Sequence, residues 1–194
     1  MITDATGAPA PTLGDDHLRL RALTPDDAEP IHRLFASEES TRFWSHRPLA
    51  DRDAGARWIA ERLAEADTRV DWVVEHAGAA VGVCFFSDLS PENRRAEIGY
   101  AIAAGSQGRG FATGAVGLAL AHGFDTLSLH RVEADVDPRN TPSLRLLERF
   151  GFVAEGRLRD RWQVTGEVQD TILLGLLEPD WRRVAFRPTN GEQP

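Results

Sequence analysis

The segment QGRGFA, residues 107–112, decides the fold of this chain, because it joins an alternating apolar run to an Ala- and Gly-rich run with helical spacing. A loop at such a junction presents free backbone N–H groups at the positive end of a helix dipole, which favours phosphate. Glycines at positions 108 and 110 let the backbone approach a ligand without an intervening Cβ. The segment therefore predicts a phosphate-binding loop between a strand and a helix.

Two other phosphate-binding motifs fit this segment poorly. A nucleotide-binding P-loop requires a lysine, and the chain has none, since all 22 of its Lys and Arg residues are Arg. The dinucleotide motif G-x-G-x-x-G ends on a small residue where this chain has Thr113, and it follows the first strand of its fold. Residues 107–112 lie in the middle of the chain instead. Both motifs are therefore disfavoured.

Length and composition predict one domain with tails. The chain has 194 residues, of which 42% are hydrophobic, enough for a sizeable core. We assign residues 17–181 to the domain, residues 1–16 to a disordered N-terminal tail and residues 182–194 to a C-terminal tail. The net charge of −8 argues against a nucleic-acid partner. Because neither a membrane-spanning apolar run nor a signal peptide is recognisable, we expect a cytoplasmic protein without a membrane partner.

Neither a disulfide nor a metal site is expected. Cys84 is the single cysteine, so it has no partner within the chain. It lies in an apolar run without a flanking cation, which favours core packing over a role as nucleophile. The six histidines show no spacing typical of metal ligands.

Hydrophobic patterns predict an α/β (α+β) chain of about seven strands and about four helices. Strands are expected near residues 18–21, 71–76, 80–86, 95–102, 130–136, 156–164 and 170–177, with a polar loop over residues 87–93. Helices are expected over residues 24–36, 51–66, 111–125 and 141–150. Thr24 and Thr141 are the expected N-caps of the first and last helix, and Gly151 is expected to end the last one in a left-handed conformation. The strand–helix–strand unit over residues 95–136 predicts a parallel or splayed strand pair.

Four segments carry a resemblance to a known family: AEIGYAI (96–102), QGRGFAT (107–113), NTPSLRLLERFGF (140–152) and EGRLRDRW (155–162). In this order and spacing they resemble the GCN5-related N-acetyltransferase (GNAT) superfamily, and within it the RimJ/RimL-type ribosomal-protein N-acetyltransferases. The resemblance covers roughly residues 17–180. It implies a GNAT fold, with a mixed central sheet whose parallel strands splay around a coenzyme A site, and it implies acetyl-CoA as co-substrate.

The resemblance also implies which residues hold acetyl-CoA. Backbone amides of residues 108–112 would bind the pyrophosphate, with Thr113 in reach, and Asn140 would bind the pantetheine arm. The implied cofactor-binding residues are Ile102, Gln107, Gly108, Arg109, Gly110, Phe111, Ala112, Thr113 and Asn140. For the loop, the alternative is an ordinary Gly-rich connection; for Asn140, the alternative is a turn or helix cap.

Two residues are candidates for catalysis. Ser143 falls in the first turn of the last predicted helix, where its hydroxyl and the positive helix end would favour a departing thiolate; the resemblance implies a proton donor there, and the alternative is a helix cap. Glu97 is the candidate base, on the strand face opposite Ile98 and Tyr100. The alternative is a surface carboxylate. A strong base is not required, because an α-amine of pKa about 7.7–8.0 is partly neutral at pH 7 and a water relay with a weak base suffices.

The acceptor is expected to lie between the aromatic, cationic segment 41–48, Glu97 and the turn at residues 165–169. Phe43, Trp44, Arg47 and Trp162 are the candidate substrate-binding residues. Arg42, Arg47 and Arg161 offer contacts for a carbonyl or carboxylate, whereas the aromatic residues could equally plug the edge of the core. We expect His46 to lie at the surface; the alternative is a contact with the acceptor.

The predicted reaction is direct acetyl transfer to a primary amine, most readily a protein N-terminal α-amino group. Two alternatives stay open: a small-molecule amine such as an antibiotic, an amino acid or a polyamine, and a non-catalytic acyl-CoA-binding module. A homodimer also stays open.

Overall fold

The computed structural model describes residues 10–164 and 166–185. In these residues eight strands form one sheet in the order β1-β2-β3-β4-β5-β6-β8-β7. The strands are β1 (Leu13–Gly14), β2 (Arg19–Ala22), β3 (Val70–His76), β4 (Ala79–Ser90), β5 (Arg95–Ile102), β6 (Arg131–Val136), β7 (Val153–Val164) and β8 (Glu167–Leu177). The predicted mixed α/β architecture is confirmed, with one strand more than expected.

Six α-helices flank this sheet within the same residues. They are α1 (Ala28–Leu34), α2 (Glu38–Thr41), α3 (Arg52–Ala64), α4 (Phe111–Asp125), α5 (Thr141–Arg149) and α6 (Glu178–Ala185). The prediction for α4 is confirmed at both ends. Of the helices in the described part of the chain, none has the length and apolarity that a membrane crossing requires.

The helices cover both faces of the sheet, and alternation along β4 shows how. The Sγ atom of Cys84 lies 4.0 Å from the backbone oxygen of Ala115 in α4. The next side chain, Phe85, points to the other face, where the guanidinium of Arg62 in α3 lies 5.5 Å from its ring centre. The sheet is therefore the middle of three layers, with α4 on one side and α3 on the other.

The sheet opens between β5 and β6, which are its parallel neighbours. Their register runs only from Arg95 opposite Arg131 to Glu97 opposite Glu133. Both strands continue beyond these pairs, β5 to Ile102 and β6 to Val136. The two strands therefore diverge into a cleft, as the strand–helix–strand unit predicted.

Several predicted boundaries are wrong. Strand β4 runs to Ser90 because Ser87 and Ser90 pair with β5, so the polar loop begins later than residue 87. The first helix ends at Leu34 rather than at residue 36. Residues 10–16 are not a loose tail, since Leu13 pairs with Leu20 and Pro11 accepts a hydrogen bond from the indole of Trp72 at 2.9 Å.

At the other end of the chain, α6 extends into the segment assigned to a C-terminal tail. Its Trp181 is 8% exposed and stacks on Phe124 with ring centres 5.9 Å apart. The remaining tail residues, 1–9 and 186–194, and Thr165 of the predicted acceptor turn lie outside the described residues.

Candidate active site

The loop before α4 has the geometry of an anion site. Gly110 is the N-cap of α4 at φ 82°, with no side-chain cap, and the first turn carries no acidic residue. Gly108 is also left-handed, at φ 73°, and a Cβ built on either glycine would meet nothing within 4 Å. The first-turn N–H groups of α4 lack intrahelical partners, and the space beside both glycines is open, as an anion site requires.

Other residues of the segment brace this loop. Gln107 donates its side-chain N–H to the backbone oxygen of Ile102 at 3.0 Å, which ties the loop to the end of β5. The guanidinium of Arg109 lies 4.7 Å from the ring centre of Phe111 and 3.3 Å from Nε2 of His76. Because Phe111 is only 4% exposed, its side chain packs in the core and its backbone is the part that can contact a ligand.

A cleft of about 390 Å³ occupies the gap between β5 and β6. Both faces of β5 contribute to it, Glu97 and Gly99 from one and Ile98 and Tyr100 from the other. The cleft therefore passes through the sheet rather than lying on one side. Among the predicted catalytic and substrate-binding residues, those that line it are Phe43, Trp44, Glu97, Ser143 and Trp162, and Asn140 lines it as well.

Ser143 meets a partner that the sequence did not reveal. Its hydroxyl and that of Tyr100 are 2.8 Å apart, and burial raises the pKa of Tyr100 to about 12, so the phenol is neutral and can donate a proton. Tyr100 is the only tyrosine of the chain, a signal that could have drawn attention to it. Its phenol and Ser143 form a two-hydroxyl chain at the start of α5.

Asn140, not Thr141, caps α5. The Asn140 side-chain oxygen accepts the N–H of Ser143 at 3.3 Å, which places Thr141 and Pro142 inside the helix. The far end of α5 is as predicted: Gly151 is left-handed at φ 93°, and the N–H of Phe152 bonds to Leu147 at 3.2 Å. The alternative role of Asn140 as a cap is therefore confirmed.

Glu97 has the acid–base character that a catalytic base needs. Burial, reinforced by the negative charges of Asp135, Asp88 and Glu133, raises its pKa to about 7, and Arg161 opposes the rise. Its strand neighbours are Ser87 on β4 and Glu133 on β6. Glu97 therefore exchanges a proton near neutral pH while lining the cleft.

Asp135 is a second carboxylate of the cleft that sequence reasoning missed. It accepts hydrogen bonds from the hydroxyl of Thr171 and from the indole of Trp162 at 3.3 Å, and Arg161 lies 3.8 Å away. Alternation places its side chain on the same face of β6 as Glu133. The carboxylate holds Trp162 against the cleft wall, so that tryptophan is positioned by β6 as well as by its own strand.

The aromatic segment contacts the core and also lines the cleft. Trp44 packs on Phe35 of the core, with ring centres 4.9 Å apart, and also lines the cleft. His46 is half-buried rather than on the surface, and burial lowers its pKa. Arg47 is exposed and does not line the cleft; its backbone oxygen lies 2.8 Å from Nδ1 of His46.

The arginines of the cleft are not the set that the sequence suggested. Of the three arginines predicted to contact the acceptor, Arg161 lines the cleft, whereas Arg42 and Arg47 do not. Two others, Arg62 and Arg69, line it instead. The remaining candidate nucleophile, Cys84, is fully buried with a raised thiol pKa, which fits core packing.

Comparison with known proteins agrees with this geometry. The acetyltransferase (GNAT) domain matches residues 17–153 of the chain. The uncharacterized N-acetyltransferase p20 of Bacillus licheniformis is 33% identical over 174 residues, which cover 88% of this chain and 98% of that one. Mycobacterium smegmatis RimJ, solved in complex with CoA-disulfide, superposes with a TM-score of 0.77 at 27% identity, covering 87% of this chain and 88% of RimJ. The spermidine N-acetyltransferase of Vibrio cholerae, solved with CoA and spermine, superposes with a TM-score of 0.78 at 28% identity, covering 87% of this chain and 99% of that one.

Proposed function

Because the chain belongs to the acetyltransferase (GNAT) family, we propose that it transfers the acetyl group of acetyl-CoA directly to the N-terminal α-amino group of a protein. The observation that carries this proposal is the Glu97 carboxyl, which lines the cleft and has a pKa of about 7. An α-ammonium has a pKa of about 7.7–8.0, so transferring its proton to such a carboxylate costs only about 1 kcal/mol. An alkylammonium of pKa about 10.4 would cost about 4–5 kcal/mol.

The residues divide into three roles. The amides of residues 108–112 and the start of α4 hold the pyrophosphate, and Asn140 orients the start of α5 beside the pantetheine arm. Glu97 removes the ammonium proton, directly or through one water, and frees the nitrogen lone pair to form the C–N bond. As the C–S bond breaks, Ser143 gives its proton to the sulfur and takes one from Tyr100, and the second proton that the attacking nitrogen loses returns to the phenol through solvent.

A polyamine acceptor is the second candidate, and the charge of the cleft favours it. Six carboxylates line the cleft against three guanidiniums. The carboxylates belong to Glu65, Asp88, Glu97, Asp135, Asp137 and Asp170, and the guanidiniums to Arg62, Arg69 and Arg161. A net negative cleft attracts polycations, and the V. cholerae neighbour was solved with spermine.

Thiol release from acetyl-CoA over a panel of amines tests the proposal. The panel contains peptides with a free N-terminus, the same peptides with a blocked N-terminus and an internal lysine, spermidine, and single amino acids. We expect turnover of the free peptides and none of the blocked ones. Turnover confined to spermidine would select the second candidate. Binding of acetyl-CoA without turnover of any amine would instead indicate a non-catalytic acyl-CoA-binding module.

A further inference from the structure

One end of the cleft is cationic, in contrast to its overall charge. Arg62, Arg69 and Phe85 form this end, which we call the arginine end. The guanidinium carbons lie 5.5 Å (Arg62) and 4.9 Å (Arg69) from the ring centre of Phe85. Both side chains are largely buried, 16% and 11% exposed. Two guanidiniums are therefore held around one aromatic ring at the cleft wall.

The local counter-charge is incomplete. Asp71 accepts two hydrogen bonds from Arg69, at 3.1 and 3.2 Å. The side chain of Glu65 lies 3.7 Å from Arg69 and is 61% exposed, so solvent screens this ion pair. One buried carboxylate thus faces two buried cations, and the other carboxylates that act on Arg62, Glu65 and Glu61, are exposed.

Arg62 is the more weakly paired of the two arginines. Its buried Nε makes no hydrogen bond to any described residue and lies 3.5 Å from Oδ1 of Asp71, which is within ion-pair range. The guanidinium is stacked 3.4 Å from the ring centre of Trp58, which fixes its plane. Hydrogen bonds between charged groups are the strong ones, so an anion at the cleft face of the two guanidiniums would add to this weak pairing.

The arginine end lies a short way from the base. A Cβ on Gly99 would come within 2.3 Å of the Phe85 ring, so the ring lies across Gly99, two residues along β5 from Glu97. Two residues of a strand span about 7 Å. A ligand whose amine nitrogen contacts Glu97 therefore contacts the arginine end through a group that is several bonds away from that nitrogen.

We propose that the arginine end binds an anionic group of the acceptor, so that the acceptor class is a peptide N-terminus followed closely by an acidic side chain. This inference rests on the proposed function. In a free amino acid the amine and the carboxylate share one carbon and cannot span the distance. A polyamine would bring a second cation to two guanidiniums, where like charges repel.

The inference is tested first without altering the protein. Wild-type enzyme is assayed for thiol release with two peptides that differ only at the second residue, Ala-Glu and the nearly isosteric Ala-Gln. Because hydrogen bonds to charged groups are the strong ones, we expect kcat/KM to be about 10- to 100-fold higher for the Glu peptide. Equal values for the two peptides, or turnover of spermidine but not of either peptide, would overturn the inference and leave acetyl transfer intact. No release with any amine would overturn the proposed function, and this inference with it.

A pair of variants on α3 then locates the effect. Arg62→Met keeps a long unbranched side chain and removes the guanidinium that stacks on Trp58, whereas Arg57→Met makes the same change on the exposed face of α3, outside the cleft. We expect Arg62→Met to bring the Glu/Gln ratio of kcat/KM close to one, and Arg57→Met to keep the wild-type ratio. An unchanged ratio in Arg62→Met, or a loss of the ratio in both variants, would refute the assignment.

Discussion

Replacing Glu97 by glutamine should stabilise the protein at pH 8 and slow catalysis. The folded protein holds the carboxyl pKa at about 7, against an ordinary value of 4.5. Between these pH values the folded state keeps a proton that the unfolded state has lost, so stability falls as pH rises and levels off above pH 7. The difference between the ordinary and the raised pKa corresponds to a loss of about 3 kcal/mol in the free energy of unfolding. Glutamine stays neutral and removes that loss.

Thermal melting at two pH values measures the effect. For a chain of this size about 3 kcal/mol corresponds to a rise of about 6–12 °C in the melting temperature. We expect this rise in Glu97→Gln over wild type at pH 8 and little difference at pH 4.5. Glu92→Gln, in the exposed turn between β4 and β5, is the matched control and should melt like wild type at both values.

The pH profile of the same variant tests its catalytic role. With an α-amine acceptor, wild-type kcat/KM should rise with pH through about 7, because the base is active once it is deprotonated. Glu97→Gln should lose this limb and fall by about 10²–10⁴-fold at pH 8. A variant that melts like wild type at pH 8 would refute the burial argument. A retained limb near pH 7 would refute the assignment of the base.

Three further outcomes follow from the site. Gly110→Asp should abolish the thermal shift caused by CoA, because it sets a carboxylate against the anion site, whereas Gly78→Asp, at an equally left-handed and open position, should keep it. Ser143→Ala and Tyr100→Phe should each lower kcat by about 10²-fold, and the double variant should be little slower than either, because the two hydroxyls act through one hydrogen bond; additive losses would argue against the relay. Asn140→Ala should cost about 1 kcal/mol and lower the melting temperature by about 2–4 °C, measured by calorimetry.

The features that the sequence predicted correctly are those that local patterns determine. Glycines before an Ala-rich run placed the loop and both ends of α4, and alternation placed Glu97 on its strand face. Gly151 marked the end of α5, because only a residue that tolerates positive φ fits there. These features depend on neighbours within a few residues, so the printed sequence contains them.

The parts that sequence reasoning missed depend on pairing between distant segments. Tyr100 was placed on the face opposite Glu97, and nothing local says that the sheet opens there and lets both residues reach one cleft. Arg62 and Arg69 look like ordinary solvated charges on and after an amphipathic helix. They become cleft residues only because Phe85, on another strand, lies between them.

The chain ends illustrate a related limit. Composition marked residues 10–16 as loose, but Leu13 finds a strand partner in Leu20. Trp181 was expected at the edge of a tail, yet it packs on Phe124 from a helix far away in sequence. A segment too short or too polar to form its own core is ordered by the surface it meets, and that surface is absent from a local window.

The divergence of β5 and β6 creates two strand edges in the middle of the sheet. Beyond Glu97 and Glu133 the register gives neither strand a partner across the gap in the described residues, although β4 and β8 pair with their other sides. Edges usually occur at the margins of a sheet, where charge or bulges guard them against added strands. At these two inner edges, a ligand bound in the cleft would cover the unpaired backbone groups instead. Of residues 98–101 and 134–136, those whose amide protons point into the gap should therefore exchange more slowly when acetyl-CoA is bound, while the amides paired with β4 and β8 keep their rates.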